Sequence, residues 1–161
     1  MTSLAAHELS LETLDALTGV DTLCLFVAED ERPLAGAAGL ADWRLCGQLS
    51  RLLVDGFFRG AADDSLLLPS AGRIGPGRIV VFGLGRGDRL ADGPALGARL
   101  AAAAAVLDRA GSEAVALEVP GAGRVPDSER VRALRSGFLP AFHGRHVAVL
   151  GDRSLGKLLG G

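Results

Sequence analysis

Residues 21–28 read Asp-Thr-Leu-Cys-Leu-Phe-Val-Ala, unbroken and apolar from Leu23 onward and followed at once by Glu29-Asp30-Glu31-Arg32. A run this short, with no polar residue at helical spacing, is the pattern of a strand buried on both faces, as in a parallel sheet covered by helices. Outward from it, helical and extended patterns alternate. A Gly/Ala/Pro linker, Pro33 to Gly39, precedes Leu45, Leu49, Leu52 and Leu53, which recur at helical spacing with Arg44, Gln48 and Arg51 between them. This predicts one amphipathic helix ending near Gly56. Ser65-Leu-Leu-Leu-Pro69 and Arg78-Ile-Val-Val-Phe82 are two short strand patterns, and the turn residues between them make the pair hairpin-like.

Asp92-Gly-Pro94 offers an N-cap and an early-helix proline, after which Leu96, Leu100, Ala103 and Leu107 hold one face as far as Gly111. Ala114 to Val119 reads as a strand. Asp127 or Ser128 then caps a helix with Val131, Leu134 and Phe138 on its buried side and Glu129, Arg130, Arg132 and Arg135 on the other. His146-Val-Ala-Val-Leu150 is a final strand, whereas His7 to Leu17 is ambiguous, an edge strand running into a helical turn. Strands alternating with helices imply parallel pairing through right-handed crossovers. The fold class is therefore α/β, with a mixed, mostly parallel sheet and helices on both faces. A length of 161 residues fits one domain, its core at about 20–150 and a Gly-rich tail at 151–161.

Composition narrows the chemistry. Hydrophobic residues make up 48% and charged residues 22%, near the globular averages, and a net charge of -2 gives no electrostatic reason for a nucleic-acid or membrane partner. There is no Tyr, no Asn and a single Lys, Lys157, so a mechanism needing two lysines, a Tyr acid or an Asn oxyanion donor cannot be built. Cys24 and Cys46 stand apart from each other and from His7, His143 and His146, with no zinc-ligand spacing, so no metal site and no cofactor are expected. No basic start followed by an apolar run opens the chain, and the longest apolar run, Leu100 to Leu107, is far short of a membrane span. A cytoplasmic, reduced protein is expected.

Several short patterns could carry function. Gly83-Leu84-Gly85-Arg86-Gly87 directly follows the strand ending at Phe82, at the strand end where α/β sheets bind ligands. The next helix begins about seven residues too late for a dinucleotide fingerprint, so the loop is a candidate ligand contact or simply a sharp turn. Gly151-Asp-Arg-Ser-Leu-Gly156-Lys157-Leu158 matches a phosphate-binding loop except at Leu158, which lacks the hydroxyl needed for Mg²⁺, and the chain leaves no room for the helix that should follow. Asp63-Asp64 and Glu29-Asp30-Glu31 could serve as paired carboxylates for metal or acid–base work, but neither has a second partner cluster and each flanks an expected strand, so they read as solvated loop ends. Arg73, Arg78, Arg86 and Arg89 form a basic cluster diluted by Asp88 and Asp92, and so few aromatics leave little for base stacking. His143 and His146 fall on opposite faces near a strand start. Cys24 and Cys46 read as small core residues, and Trp43 as packing at a helix start.

From Asp21 to about Phe138 the order of segments resembles the N-terminal domain of the leucyl (cytosol) aminopeptidase family, a three-layer module similar to macro domains. The resemblance rests on Asp21 to Val27, Leu49-Ser-Arg-Leu-Leu-Val-Asp-Gly-Phe-Phe-Arg-Gly60, Ser65 to Pro69, Arg78-Ile-Val-Val-Phe-Gly-Leu-Gly85 and Gly111-Ser-Glu-Ala-Val-Ala-Leu117. It implies a non-catalytic module, because that family's two-metal peptidase site lies in a C-terminal domain whose Asn-Thr-Asp-Ala-Glu-Gly-Arg context is not present here. The expected partners are the chain itself or a full-length aminopeptidase-like protein. The macro-domain likeness implies an alternative, a small nucleotide or ADP-ribose ligand at Gly83, Leu84, Gly85, Arg86 and Gly87, with Pro120-Gly-Ala-Gly123 as a second glycine-rich loop.

Overall fold

The computed structural model describes residues 1–90 and 93–160. Its strands are β1 (Ser3–Glu8), β2 (Thr22–Val27), β3 (Ser65–Pro69), β4 (Arg78–Gly83), β5 (Ala114–Leu117) and β6 (His146–Gly151). Its helices are α1 (Leu11–Ala16), α2 (Gly36–Arg44), α3 (Gln48–Val54), α4 (Gly93–Arg109), α5 (Asp127–Ala133), α6 (Leu139–Ala141) and α7 (Arg153–Gly160), with a 3₁₀ turn at Gly87–Leu90 and a π-helical turn at Leu134–Phe138 joining α5 to α6. The strands form one sheet in the order β1-β6-β5-β2-β4-β3, parallel throughout except for β3, which runs antiparallel to β4. This is the mixed, mostly parallel α/β sheet expected from the sequence.

Alternation along β2 divides the core in two. Leu23, Leu25 and Val27 face α1, α2 and α3, packing on Leu14, Ala41, Leu49 and Leu53. Cys24 and Phe26 face the other way, against Leu96, Leu100, Leu107 and Phe138 from α4 and the π-helical turn. Every residue of β2 is buried, as the apolar run Leu23 to Val27 requires, and its opening Thr22 is buried with a hydrogen bond to Ser112. Beneath the sheet, the Asp21 carboxylate ties β2 to β5 by accepting the Glu113 and Ala114 amides at 3.0 and 2.9 Å.

The structure corrects the sequence expectations at five places. The single helix ending near Gly56 is two, α2 and α3, broken where Cys46 and Gly47 adopt positive φ. The stretch Gly36–Gly39, expected to be linker, already belongs to α2, because small residues pack flat on the sheet where leucine periodicity is not needed. The 151–161 tail is not a loose appendage: Gly151 completes β6, and Asp152 caps α7 by accepting the Leu155 amide at 2.9 Å. Leu155 and Leu159 of α7 are buried in the core. At the other end, β1 lies outside the expected core yet pairs with β6 along its full length. Finally, α5 begins at Asp127 behind Pro126 rather than being capped by the Asp127 or Ser128 side chain. The expected N-cap of α4, Asp92, lies outside the described residues.

Candidate functional site

The C-terminal ends of β2, β4 and β5 open together, where loops leaving a parallel sheet diverge and create a crevice. It measures about 300 Å³ and is floored by Cys24 and Phe26. One wall is the first turn of α2, and the other is the segment after β5, with Val119, Gly121 and Arg124. Two carboxyl groups enter it, Glu31 and Glu118.

Glu118 sits against the start of α2. Its Oε1 accepts the Ala37 amide at 3.0 Å, which meets one of the unpaired amides of the first helical turn. The fit is close: Gly36 has φ +58, and a Cβ there would meet Glu118 Oε1 at 2.3 Å. Burial pushes the Glu118 carboxyl above its ordinary range, against the opposing pull of the Ala37 amide and the Arg130 charge. Glu31 is raised too, first by burial, against the Ala35 amide and with the Glu118 charge adding to the rise. Arg130, assigned from the sequence to a solvated helix face, is instead buried. Its guanidinium donates to the Val119 carbonyl through Nε at 3.2 Å and through Nη2, and to Asp127 Oδ1 at 3.0 Å. It thereby fixes the strand-end segment that forms one wall.

These shifts set a pH dependence. A carboxyl whose folded-state pKa is raised binds its proton more tightly in the folded chain, so folding loses stability as pH climbs from the ordinary glutamate value of 4.5 through the raised value. A Glu118→Gln variant keeps an oxygen to accept the Ala37 amide and removes the buried charge. It is therefore expected to be more stable than the parent at pH 7, with the difference shrinking as pH falls towards 4.5. Chemical denaturation at the two pH values measures this, and a variant less stable than the parent at pH 7 contradicts it.

The loop proposed from the sequence is only partly in the crevice. Leu84 and Gly87 line it. The Gly87 amide donates to Asp30 Oδ1 at 2.8 Å, so Asp30 is a loop anchor rather than a solvated end. Gly83 and Gly85 are held by the backbone of the neighbouring loop. Gly85 donates to the Gly60 carbonyl at 2.8 Å and accepts the Glu29 amide at 2.8 Å. A Cβ at Gly83 would lie 1.9 Å from the Ala61 carbonyl oxygen, so glycine is required there by close approach. Arg86 is exposed beside Asp88 at 3.5 Å. Across the crevice, Pro120, Gly121 and Ala122 from the second glycine-rich loop do line it. The sequence reading missed Glu31 and Glu118 as wall residues. Glu31 stands in the acidic run Glu29-Asp30-Glu31, which reads as a solvated loop end, and Glu118 falls inside the expected strand Ala114 to Val119, while the α2 turn that Glu118 meets is 81 residues away.

Other sequence candidates are dispersed. Asp63 pairs with Arg99 at 2.8 Å, Arg73 donates to Cys46 Sγ at 3.1 Å, and Arg78 pairs with Asp21 at 3.5 Å. The Arg89 side chain and Asp92 lie outside the described residues, so the basic cluster is described only at Arg73, Arg78 and Arg86. His143 Nδ1 lies 2.5 Å from Asp108 Oδ2, and His146 Nδ1 lies 2.7 Å from Ser3 Oγ, two separate pairs. Cys24 is a core residue as expected, whereas Cys46 is exposed. Trp43 is exposed as well, 70% accessible with the Arg44 guanidinium over its ring. Among the described residues no three His, Cys, Asp or Glu side chains gather as a metal site would need, and no helix is long and apolar enough to cross a membrane.

Residues 24–144 match the model of the cytosol aminopeptidase family, N-terminal domain. No curated protein matches the sequence. Among solved structures, a tomato leucine aminopeptidase variant is similar with 17% identity and a TM-score of 0.65 over 99% of this chain, which spans 35% of the tomato chain. The macrodomain of Mycobacterium tuberculosis DarG is similar at 17% identity and a TM-score of 0.67, covering 94% of this chain and all of that one. A Trypanosoma brucei macrodomain solved in complex with ADP gives 12% identity and a TM-score of 0.66, covering 97% of this chain and 66% of that one. At these identities the likeness concerns the fold.

Proposed function

Because the chain belongs to the cytosol aminopeptidase family, whose N-terminal domain it carries, we propose that it is a non-catalytic interaction module that associates with itself or with a full-length aminopeptidase-like protein. The observation that carries this reading is the match of residues 24–144 to the family's N-terminal domain. Trp43, Val54, Phe57 and Leu67 are all more than half exposed and supply apolar side chains that such an association would cover. Light scattering on the chain alone, and on its mixture with a full-length cytosol aminopeptidase from the same genome, tests the proposal. A defined oligomer or a mixed complex is expected, and a monomer indifferent to the aminopeptidase overturns it.

A second reading, a nucleotide or ADP-ribose sensor, is favoured by the position of the crevice at the strand ends of a fold similar to a macrodomain solved with ADP. Against it stands Glu118. Its carboxyl already takes an amide at the start of α2, where a phosphate would otherwise find a partner, and Glu31 adds a second carboxyl to the same crevice. Calorimetry with ADP-ribose, ADP and AMP separates the readings: saturable heat supports the sensor, and no heat removes it.

A further inference from the structure

The sheet ends at β3, and the register of β3 against β4 fixes which of its backbone groups are left open. The Gly83 amide donates to the Asp64 carbonyl, and beyond the other end of the strand the Ser70 amide donates to the Gly77 carbonyl. In an antiparallel ladder bonded and non-bonded pairs alternate. The pairs Leu66↔Val81 and Leu68↔Ile79 are therefore bonded, whereas Ser65↔Phe82, Leu67↔Val80 and Pro69↔Arg78 are not. Ser65, Leu67 and Pro69 accordingly turn their backbone groups away from β4, and all three are exposed. The open edge offers two donors, the Ser65 and Leu67 amides, and three acceptor carbonyls.

We propose that this edge is a docking surface for a second copy of the chain, paired antiparallel about a two-fold axis through β3 so that the two sheets become continuous. This rests on the self-association reading above and names its surface. The strand is complementary to itself. With the axis at Leu66 or at Leu67, both outward amides of each copy reach outward carbonyls of the other, giving four backbone hydrogen bonds. Pro69 has no amide to leave unpaired, and it sits at the margin of either pairing, where it limits slippage towards its own end. Leu67, 56% exposed, meets the apolar strand of the other copy, either at Leu67 itself or beside it. Charge agrees with the antiparallel direction. Exposed Asp64 precedes the strand and exposed Arg73, whose guanidinium donates to Cys46 Sγ, follows it in the turn, so antiparallel pairing sets the acidic end of each copy towards the basic end of the other. A proteinaceous edge of this kind is otherwise a liability that folds cover or interrupt.

The test is sedimentation of the parent chain and of Leu67→Pro over a wide concentration range. The Leu67 amide is not used by β4, so proline there keeps the internal ladder, and unchanged circular dichroism and thermal midpoint establish that the variant is folded. Removing that amide from both copies deletes two of the four bonds, and the expected result is a concentration-dependent dimer for the parent and a dissociation constant at least ~10-fold weaker for the variant. A folded Leu67→Pro variant that dimerises as tightly as the parent overturns the β3 edge while leaving self-association standing. A parent chain that stays monomeric overturns both. If the proline variant does not fold, Leu67→Lys carries the same comparison, because the side chain is in solvent in the monomer, and in the dimer the two introduced charges stand opposite each other with the axis at Leu67 and diagonally with it at Leu66, opposing dimerisation in both.

Discussion

A Gly83→Ala variant is expected to lose about 3 kcal/mol or more of folding stability, a fall in melting temperature of roughly 6–12 °C for a chain of this length. The added methyl has no room: it would stand 1.9 Å from the Ala61 carbonyl oxygen and 2.6 Å from the Gly60 carbonyl carbon. Those atoms are backbone, so relief requires the 60–62 segment to move. That segment is held by the Gly85 amide on the Gly60 carbonyl, and Gly83 itself donates to the Asp64 carbonyl, so moving it strains hydrogen bonds on both sides of the loop. Gly83 was a candidate ligand contact from sequence, and the two roles separate experimentally. A ligand contact would lower affinity at unchanged stability, whereas the packing role lowers the melting temperature with no ligand present. A variant that melts with the parent contradicts the packing account.

Phe138→Ala is expected to cost about 3–5 kcal/mol, a drop in melting temperature of roughly 6–20 °C. Phe138 is fully buried, its ring 5.4 Å from that of Phe142, and it lies in the cluster that also holds Leu96, Leu100 and Leu107 of α4. Backbone packs tightly here as well. Gly137 approaches so near that a Cβ on it would lie 2.4 Å from the Gly97 carbonyl oxygen, which leaves the neighbouring helices little freedom to collapse into a vacated ring site. Denaturant titration gives the value directly. A loss below about 1.5 kcal/mol would mean that the π-helical turn relaxes into the cavity and that the ring is not a keystone of this face.

The sheet was largely legible because its signals are local. The apolar run of β2, the hairpin-like spacing of β3 and β4, and the single-faced leucines of α4 each state their structure within a few residues. The elements misread are those whose logic is long-range. The edge strand running into a helical turn expected over His7 to Leu17 is present as β1 and α1, but β1 already begins at Ser3, because it is justified by its pairing with β6, more than 140 residues on. α2 presents alanines and glycines, which lack the periodicity of leucine yet fit closely against the sheet. α7 has only eight residues and is held by Leu155 and Leu159 on a surface that the local sequence does not reveal. The site followed the same division. The glycine loop was visible as a pattern, and the structure gives two of its residues to the crevice. The two carboxyls of the crevice, Glu31 and Glu118, are brought together by the fold from opposite sides of α4 in the chain.

Arg130 illustrates the limit in another way. Helical spacing assigned it to the polar face with Arg132 and Arg135, and by charge alone that is where it belongs. Its burial depends on the Val119 carbonyl and on Asp127 being positioned to receive the guanidinium, a buried charge with its partners supplied. Spacing along one helix cannot contain that information, because one of the two partners lies at the end of a strand.

The central claim, a family fold without peptide-bond chemistry, is tested most directly by hydrolysis of leucine p-nitroanilide by the purified chain in the presence of Mn²⁺ or Zn²⁺. No turnover above the uncatalysed rate is predicted at any metal concentration. Turnover that co-elutes with the chain and rises in proportion to bound divalent metal would contradict it.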